Sequence, residues 1–369
     1  MRLKRVLSTV LTVGLLVGCT TLFSFCQKRN PSIDETDSES DTQTEAQTFE
    51  EEETMTEEIK DPNHYIEMIT YNIAYYDADS PSMAIYHKDQ APADYTVERR
   101  AGRLDSLVEC MMPDVLALQE VNSTWWPYLI TNEDSIANKY GYGWSGNLST
   151  TGEQDGGGKK INDLYNLLLW SKETFEELES GVFRLAPKQG NDTNKNRLCA
   201  YAILKNRETG TETLYASAHF CTRPDEEMRA LSLTQAQTLT ETLTSLAKGR
   251  TIVIGGDFNA NNTTPTYQHI TETAGFYDAR AIAKINDFMH MNTARIWGKV
   301  AEEQWKGGKG LPIDHIFFLG NTLEPEEWRV LTDTYNMYDQ ISFDIDKIGI
   351  NYDLSDHMAV YTRFKEILE

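Results

Sequence analysis

The chain has 369 residues, 40% of them hydrophobic, and carries a formal net charge of −23 at pH 7. That length allows one large domain or two ordinary ones, and the apolar content is compatible with a sizeable core. Nonspecific binding to duplex DNA depends on neutralising phosphates with Lys and Arg, so a chain this acidic lacks the charge that such a protein needs.

The N-terminus has the pattern of a bacterial lipoprotein signal. Basic residues at positions 2, 4 and 5 precede an apolar run that ends in "LLVGC" at Cys19. This pattern predicts a signal peptide over residues 1–18 and lipidation of Cys19. A signal anchor is the alternative, because apolar character continues to Cys26 and a run of that length could span a bilayer. Both interpretations put the rest of the chain outside the cytoplasm, attached to the membrane.

An acidic linker is predicted next, within residues 19–60. Between Asn30 and Lys60, twelve Asp and Glu residues oppose one Lys, and aliphatic residues are scarce. Such a segment buries too little apolar surface to offset its ordering entropy, so it should be a disordered spacer. No second low-complexity segment or repeat interrupts residues 61–369, which we therefore expect to form one domain.

Short apolar segments typical of strands recur through this domain, and helical patterns lie between several of them. Two long segments, "TVERRAGRLDSLVECMM" and "DEEMRALSLTQAQTLTETLTSLAKG", have helical periodicity, and the second ends on Gly249. The alternation of strands with helices, together with one clear hairpin, indicates a mixed α/β sandwich. The predicted strands are "YIEMITYNI", "DVLALQEV", "YNLLLW", "LCAYAIL", "TLYASAHF", "TIVIGG", "PIDHIFFL" and "HMAVYTRF".

The predicted hairpin carries two cysteines, Cys199 and Cys221. If the hairpin is symmetric about Gly210, the two residues lie opposite each other and a disulfide is geometrically feasible in an oxidising compartment. Free thiols are the alternative, because cross-strand bridges are strained. The sequence leaves both open.

Polar residues of types that bind hard metals or phosphate stand at the ends of several predicted strands. Strand ends that meet at one rim are where a scaffold of sheets presents reactive groups. Oxygen ligands dominate and zinc-type spacing is absent, which favours Mg²⁺ or Mn²⁺ and leaves Ca²⁺ open. Taken singly, each residue has a structural alternative, such as a turn residue, a loop cap or a core histidine. The residues are Asn72, Glu120, His219, Asp257, Asn259, Asp314, Asp356 and His357.

Within this set, the segment "TIVIGGDFNANN" offers two polar groups together. Asp257 and Asn259 are one residue apart, and on an extended chain both side chains would project to the same side. The two glycines before them predict close backbone packing at that rim.

The order of the motifs "TYNI", "PDVLALQEV", "SAHF", "GGDFNA", "IDHIFF" and "SDHMAV" resembles that of the endonuclease/exonuclease/phosphatase superfamily. The resemblance covers essentially Tyr65 to Phe364. It implies a DNase I-like fold, a four-layer α/β sandwich of two packed mixed β-sheets flanked by helices, with the active site at one edge. It also implies a Mg²⁺- or Mn²⁺-dependent enzyme that hydrolyses phosphoesters.

The resemblance also implies which residues would bind metal and phosphate. Glu120 matches the principal metal ligand, with Asn72 beside it and Asp356 near the same ion. Arg197 stands where related proteins often carry an arginine that contacts the phosphate, a role that suits a bidentate guanidinium.

Five further residues would have catalytic roles by the same resemblance. Asp257 and Asn259 would hold the attacking water and a phosphate oxygen. His357 would be the general base or a charged phosphate donor, oriented by Asp314. His219 would donate a hydrogen bond to the phosphate or to the leaving oxygen.

These features together predict a monomeric phosphodiesterase or phosphatase on the outer side of a bacterial membrane. Small or polar phosphoesters are the favoured substrates, because net charge disfavours nucleic acid and no long apolar hairpin indicates a sphingomyelinase-like hydrolase of phospholipid headgroups. The alternative of a different class is a non-catalytic binding module that keeps the fold. The presence of every expected ligand type argues against that alternative.

Overall fold

A computed structural model describes residues 64–75, 96–146, 165–188, 195–222, 225–287, 293–294, 311–331, 355 and 357–368. They belong to the unit Asn63–Glu369. The predicted signal peptide, the lipidation site Cys19 and the acidic linker lie outside the described residues. Among the helices that are described, none has both the length and the apolar character needed to cross a membrane.

Two mixed sheets form the frame of the described part of the chain. One has seven strands in the order β10-β12-β13-β1-β2-β4-β3, and the other has six in the order β5-β6-β7-β8-β11-β9. The strands are β1 Tyr65–Asn72, β2 Val115–Val121, β3 Tyr142–Gly146, β4 Tyr165–Ser171, β5 Phe175–Arg184, β6 Leu198–Asn206, β7 Glu212–His219, β8 Thr251–Asp257, β9 Tyr277–Asp278, β10 Ile285–Asp287, β11 Asp314–Leu319, β12 Leu323–Val330 and β13 Val360–Glu366.

Two long helices and several short helical segments accompany the sheets in the residues that the structure describes. The helices are α1 Val97–Met111, α2 Ile136–Lys139, α3 Glu226–Ala247, α4 Pro265–Gln268 and α5 Ala279–Ile282, with π-helical turns at Pro127–Thr131 and His269–Thr273. Both long helices begin with a side-chain cap: Thr96 accepts from a backbone N–H of α1, and Asp225 does so for α3. Helix α3 ends two residues before the predicted Gly249, because Lys248 already adopts a left-handed conformation.

Strand β1 illustrates how the layers are held together. Ile66 and Met68 pack in the cluster between the two sheets, whereas Ile69 and Tyr71 pack in the outer cluster that includes the buried face of α1. A third cluster joins the six-stranded sheet to α3. The layers are therefore helix, sheet, sheet and helix, which confirms the predicted four-layer α/β sandwich.

Parallel pairs determine which strand ends meet. β1 is parallel to β2 in the seven-stranded sheet, and β7 is parallel to β8 in the six-stranded sheet. β13 runs antiparallel to β1 and β11 runs antiparallel to β8, so both begin near those carboxyl ends. One edge of the sandwich thus gathers the polar strand ends.

The eight predicted strands are present, but the sequence did not indicate several others. Strand β5 is one of these, since most of its charged side chains are exposed and it lies at a sheet edge. Strand β12 contains Pro325 and several acidic residues, and its pairing is irregular at that proline. Strands with one solvent-facing side carry a weaker apolar signal than strands covered on both faces.

The hairpin register differs from the symmetric one considered above. Cys199 lies opposite Ala218 rather than Cys221, because the turn is closed by Lys205 pairing with Glu212. Cys199 and Cys221 are both buried free thiols. The register therefore favours the free-thiol alternative over the disulfide.

Candidate active site

The buried strand β8 ends on Asp257, whose carboxylate is the centre of the site. The Asn72 side chain donates from Nδ2 to Asp257 Oδ2 over 3.0 Å, although the two residues lie in different sheets. His219 Nε2 lies 3.3 Å from the same oxygen, and His357 Nε2 lies 3.7 Å from it. Groups from both sheets therefore converge on one carboxylate oxygen.

Two glycines allow this convergence. A Cβ on Gly256 would lie 2.2 Å from the carbonyl oxygen of Ala218, and one on Gly255 would lie 2.7 Å from the Cε atom of Met68. Real Cβ atoms essentially never come this close to another atom, and the Ala218 carbonyl belongs to the backbone and cannot rotate away, so the predicted close packing at this rim is confirmed.

Asn259 reaches the site by a turn in the backbone rather than along an extended strand. Its φ is 47°, in the left-handed region that Asn tolerates better than most residues. The backbone N–H of Asn259 donates to Asp257 Oδ1 over 2.9 Å. Its Nδ2 donates to the Phe220 carbonyl over 3.0 Å and lies 3.3 Å from His219 Nε2. The expected extended geometry was wrong, but the two side chains still meet at His219.

His357 and Asp314 form a buried pair at the same edge. His357 Nδ1 lies 2.8 Å from Asp314 Oδ2, and the His357 backbone N–H donates to Ser355 Oγ over 3.1 Å. The Asp314 backbone N–H donates to Thr293 Oγ1 over 3.0 Å. Asp314 Oδ1 is buried and has no hydrogen-bond partner among the described residues. Asp314 thus orients the imidazole and retains one oxygen for another ligand.

Arg197 fixes the tautomer of His219. Its Nη1 lies 3.3 Å from His219 Nδ1. A guanidinium only donates hydrogen bonds, so Nδ1 must accept and the single proton of a neutral His219 lies on Nε2, facing Asp257. Burial, reinforced by the positive charges of Arg197 and His357, holds the pKa of His219 well below its usual range. His219 is therefore a neutral hydrogen-bond donor at neutral pH.

The pKa of Asp257 is shifted upward, in the opposite direction to that of His219. Burial and the neighbouring Asp314 carboxylate raise the pKa of Asp257 to about 7, although His357, the Asn259 N–H and the Asn72 amide act in the opposite direction. Asp257 and Asp314 lie directly opposite each other on β8 and β11. A carboxylate with such a pKa can exchange a proton near neutral pH.

Glu120 is presented by an irregularity in β2. The pairing of β2 with β4 shifts between Leu118 and Val121, and Glu120 has a φ of 60°. Bulges of this kind redirect a side chain beside a functional site. Glu120 Oε2 accepts from the backbone N–H of Tyr75 over 3.1 Å, and Asn72 Oδ1 accepts from that of Ala74 over 3.0 Å. A hydrogen bond thus holds the carboxylate of Glu120 to the backbone of the segment that follows Asn72.

Sequence reasoning missed Arg100, which supports that segment. Arg100 is completely buried on α1, and its Nη1 donates to the carbonyls of Ile73 and Ala74 over 3.1 Å each. Its guanidinium lies 5.0 Å above the Trp125 ring. An arginine among the apolar positions of an amphipathic helix is the signal that could have revealed it. Of the predicted metal ligands, Asp356 lies outside the described residues.

The donor set is suited to a hard divalent cation. Ligand atoms of Asp257, Asp314 and His357 lie within 4.8 Å of one another. Asp314 Oδ1 is buried without a partner in the described part of the chain, and oxygens of Asn72 and Glu120 lie at the same edge. Among the described residues no lysine or arginine is bonded to Asp257 or Asp314, and two such buried carboxylates would be stabilised by a bound cation.

Two packed mixed sheets flanked by helices, with a polar site at one edge, are the architecture of DNase I-like proteins. The chain belongs to the Endonuclease/Exonuclease/phosphatase family, whose model matches residues 69–357. No curated protein matches the chain.

Several solved structures share the fold. An endonuclease/exonuclease/phosphatase family protein from Bacteroides thetaiotaomicron is 19% identical with a TM-score of 0.61, over 83% of this chain and 96% of that one. A mannosyl-6-phosphatase from the same species is 18% identical with a TM-score of 0.59, over 81% and 99%. The human Nocturnin catalytic domain with bound sulfate is 16% identical with a TM-score of 0.55, over 83% and 98%.

Proposed function

We propose that the chain is a divalent-metal-dependent phosphoester hydrolase. It would act outside the cytoplasm, held at the membrane by its own N-terminal lipid anchor. The observation that carries the catalytic part is the convergence on Asp257 Oδ2 of Asn72, His219 and His357 from separate strands and loops. Phosphoester cleavage requires a positioned nucleophile and donors aimed at phosphoryl oxygens. Family membership supports this class of reaction.

In the proposed mechanism, Asp257 orients the attacking water and takes its proton. The raised pKa of Asp257, about 7, makes it an effective base at neutral pH. The Asn259 side chain holds the water or a phosphoryl oxygen beside it. This assignment leaves the donor roles to the two histidines.

His219 and His357 bind phosphoryl oxygens in different protonation states. His219 is neutral, and its Nε2–H donates to a phosphoryl oxygen or to the leaving oxygen. His357 is paired with Asp314, which favours its protonated form, so it acts as a charged phosphate donor. Arg197 acts through His219, whose tautomer it fixes.

Glu120 and Asn72 would hold the cation, together with Asp356 from the predicted set. Oxygen donors of this kind suit Mg²⁺ or Mn²⁺, and a bound ion would neutralise charge that develops on the phosphoryl group. We favour these ligands over a site centred on His357, because an imidazole held protonated by Asp314 has no lone pair to offer a cation.

The favoured substrate is a small or polar phosphoester. The acidic net charge disfavours nucleic acid, and one protein of the same fold is a mannosyl-6-phosphatase. A non-catalytic binding module remains the alternative of a different class.

Hydrolysis can be tested directly with the purified chain. It would be assayed on bis-p-nitrophenyl phosphate, p-nitrophenyl phosphate, plasmid DNA and sphingomyelin, each with Mg²⁺, Mn²⁺ or EDTA. We expect EDTA-sensitive activity that falls by about two orders of magnitude or more in Asp257→Ala and His357→Ala, with the fold retained. Activity that survives EDTA would contradict the metal, and no hydrolysis of any phosphoester would favour the binding module.

The lipid anchor has a separate test. Labelling of expressing cells with a radioactive fatty acid should mark the wild-type chain and not Cys19→Ala. Absence of label on the wild type, or label that persists in the variant, would contradict lipidation at this cysteine.

A further inference from the structure

A buried polar cluster joins the two sheets beneath the catalytic residues. It consists of Thr70 and Gln119 in the seven-stranded sheet and Ser217 in the six-stranded sheet, all completely buried. Gln119 Nε2 lies 3.1 Å from both Thr70 Oγ1 and Ser217 Oγ. Ser217 Oγ donates in turn to the Leu118 carbonyl over 3.1 Å. We call this cluster the cross-sheet clamp.

The clamp lies one pleat below the site. Thr70 is two residues before Asn72, and Ser217 is two residues before His219. Side chains two residues apart on a strand share a face, so Thr70 and Ser217 each lie about 7 Å below a residue of the site. The clamp therefore connects the Asn72 half of the site, in one sheet, with the His219 half, in the other.

The bulge in β2 gives the clamp a direct link to Glu120. The pairing of β2 with β4 is interrupted between Leu118 and Val121, and the Leu118 carbonyl accepts from Ser217 in the opposite sheet. Gln119 within that interruption points between the sheets, and Glu120 follows it in a left-handed conformation. Gln119 thus continues the row of Val115 and Ala117 that faces the other sheet, and the irregularity turns Glu120 towards the edge.

Close approach of the sheets makes the clamp short and rigid. Ser217 is paired with Gly255, where a Cβ would lie 2.9 Å from the Thr70 Cβ atom. No side chain larger than hydrogen fits there. Hydrogen bonds between completely buried groups are costly to break, because each lost partner leaves a desolvated group unsatisfied.

We propose that Gln119 and Ser217 are positioning residues that set the spacing between the Asn72–Glu120 half and the His219–Asp257 half of the site. This inference rests on the proposed function. Neither residue touches the reacting atoms, so its loss should disturb the alignment of catalytic groups more than the binding of substrate.

The test compares Ser217→Ala and Gln119→Met with Ser232→Ala in the full chain. Ser232 is an equally buried serine on α3, and its hydroxyl lies 3.0 Å from Thr266 Oγ1, outside the site. With bis-p-nitrophenyl phosphate, we expect Ser217→Ala and Gln119→Met to lower kcat about tenfold or more with KM within about twofold. Ser232→Ala should keep the wild-type kcat at a comparable loss of stability in urea.

The outcomes separate the clamp from the proposed function. An active wild-type chain whose kcat is unchanged in Ser217→Ala and in folded Gln119→Met would overturn the clamp and leave the function standing. If the wild-type chain hydrolyses no phosphoester, the proposed function is refuted. The positioning role of the clamp is then tested by Mn²⁺ binding, measured by electron paramagnetic resonance. Binding about fivefold weaker in Ser217→Ala than in Ser232→Ala supports it, and equal binding overturns it.

Discussion

Asp314 and His357 form one of two buried carboxylate–imidazole pairs that originate from neighbouring positions of β11. His357 Nδ1 lies 2.8 Å from Asp314 Oδ2, and His315 Nδ1 lies 3.0 Å from Asp278 Oδ2. All four side chains are buried. Only the first pair faces Asp257, whereas the other nitrogen of His315 faces the Ala260 carbonyl. The two pairs therefore offer a matched comparison of catalytic and structural roles.

Asp314→Asn should abolish most of the activity and Asp278→Asn should not. An asparagine cannot stabilise the His357 imidazolium, so we expect kcat to fall by about two orders of magnitude or more. Asp278→Asn removes a partner of His315 outside the site and should lower stability while kcat stays close to the wild-type value. Steady-state kinetics and urea unfolding of both variants provide the measurement.

Equal losses of kcat in Asp314→Asn and Asp278→Asn would contradict this division of roles. They would mean that both carboxylate–histidine pairs affect activity only by stabilising the fold.

Asp257 should make the metal-free chain less stable as pH rises. Its pKa of about 7 in the folded chain lies above the usual aspartate value of 3.8, so the folded state binds the extra proton between these values. The stability that protonation contributes is fully present below about pH 4 and is lost as pH rises through about 7. Relative to Asp257→Asn, the wild type should lose at most about 4 kcal/mol of unfolding free energy between pH 4 and pH 8 in EDTA.

Urea unfolding of both chains at a series of pH values measures this difference. Asp278→Asn is the control with the opposite sign: burial alone would raise the pKa of Asp278, but His315, Tyr267 and the Arg280 N–H hold it below its usual value. The stability that the ionised Asp278 carboxylate contributes should therefore be present at neutral pH and be lost only on acidification. A pH-independent difference between the wild type and Asp257→Asn would refute the raised pKa.

Much of the site could be predicted because strands covered on both faces are nearly continuous apolar runs. In β8 all seven residues are buried, so a carboxylate at its end stands out in the sequence. His219 and Asn72 stand out in the sequence for the same reason, because each is a polar residue at the end of a largely buried strand. Edge strands such as β5 could not be recognised, because solvent-facing charges interrupt their pattern.

The features of the fold and site that the sequence could not predict are strand register and local backbone conformation. The offset that places Cys199 opposite Ala218 follows from the length of a turn, which periodicity does not determine. The left-handed conformation of Glu120 is not one that its residue type favours, so it depends on tertiary contacts. Arg100 was missed for a related reason, since its partners are backbone carbonyls far away in the chain.

Removing the charge of Arg197 should change the pH dependence of activity. Burial is the largest cause of the low pKa of His219, and the guanidinium is the next. In Arg197→Met the imidazolium is no longer repelled, so the pKa of His219 should rise, and the charged ring, 3.3 Å from Asp257 Oδ2, would make that carboxylate a weaker base. We expect kcat to decline on the acid side at a higher pH than in the wild type.

The measurement is a profile of kcat from pH 5 to 9, an interval chosen around the ordinary pKa of histidine, about 6.5. Lys195→Met is the matched control, because Lys195 is two residues away but pairs with Glu227 outside the site. An acid limb that moves equally in both variants would show a general charge effect and contradict a specific contact with His219.

Cys199 and Cys221 should behave as free thiols that are protected by burial. Both side chains are fully buried, and burial raises the pKa of the Cys199 thiol, which suppresses the reactive thiolate. Iodoacetamide should therefore leave both unlabelled in the native chain and label both after unfolding without reductant. Peptide mass analysis gives the readout for each cysteine, with Cys110, which is only half-buried, as an internal comparison. A peptide pair that separates only after reduction would show a disulfide and refute the hairpin register, because that register places Cys199 opposite Ala218.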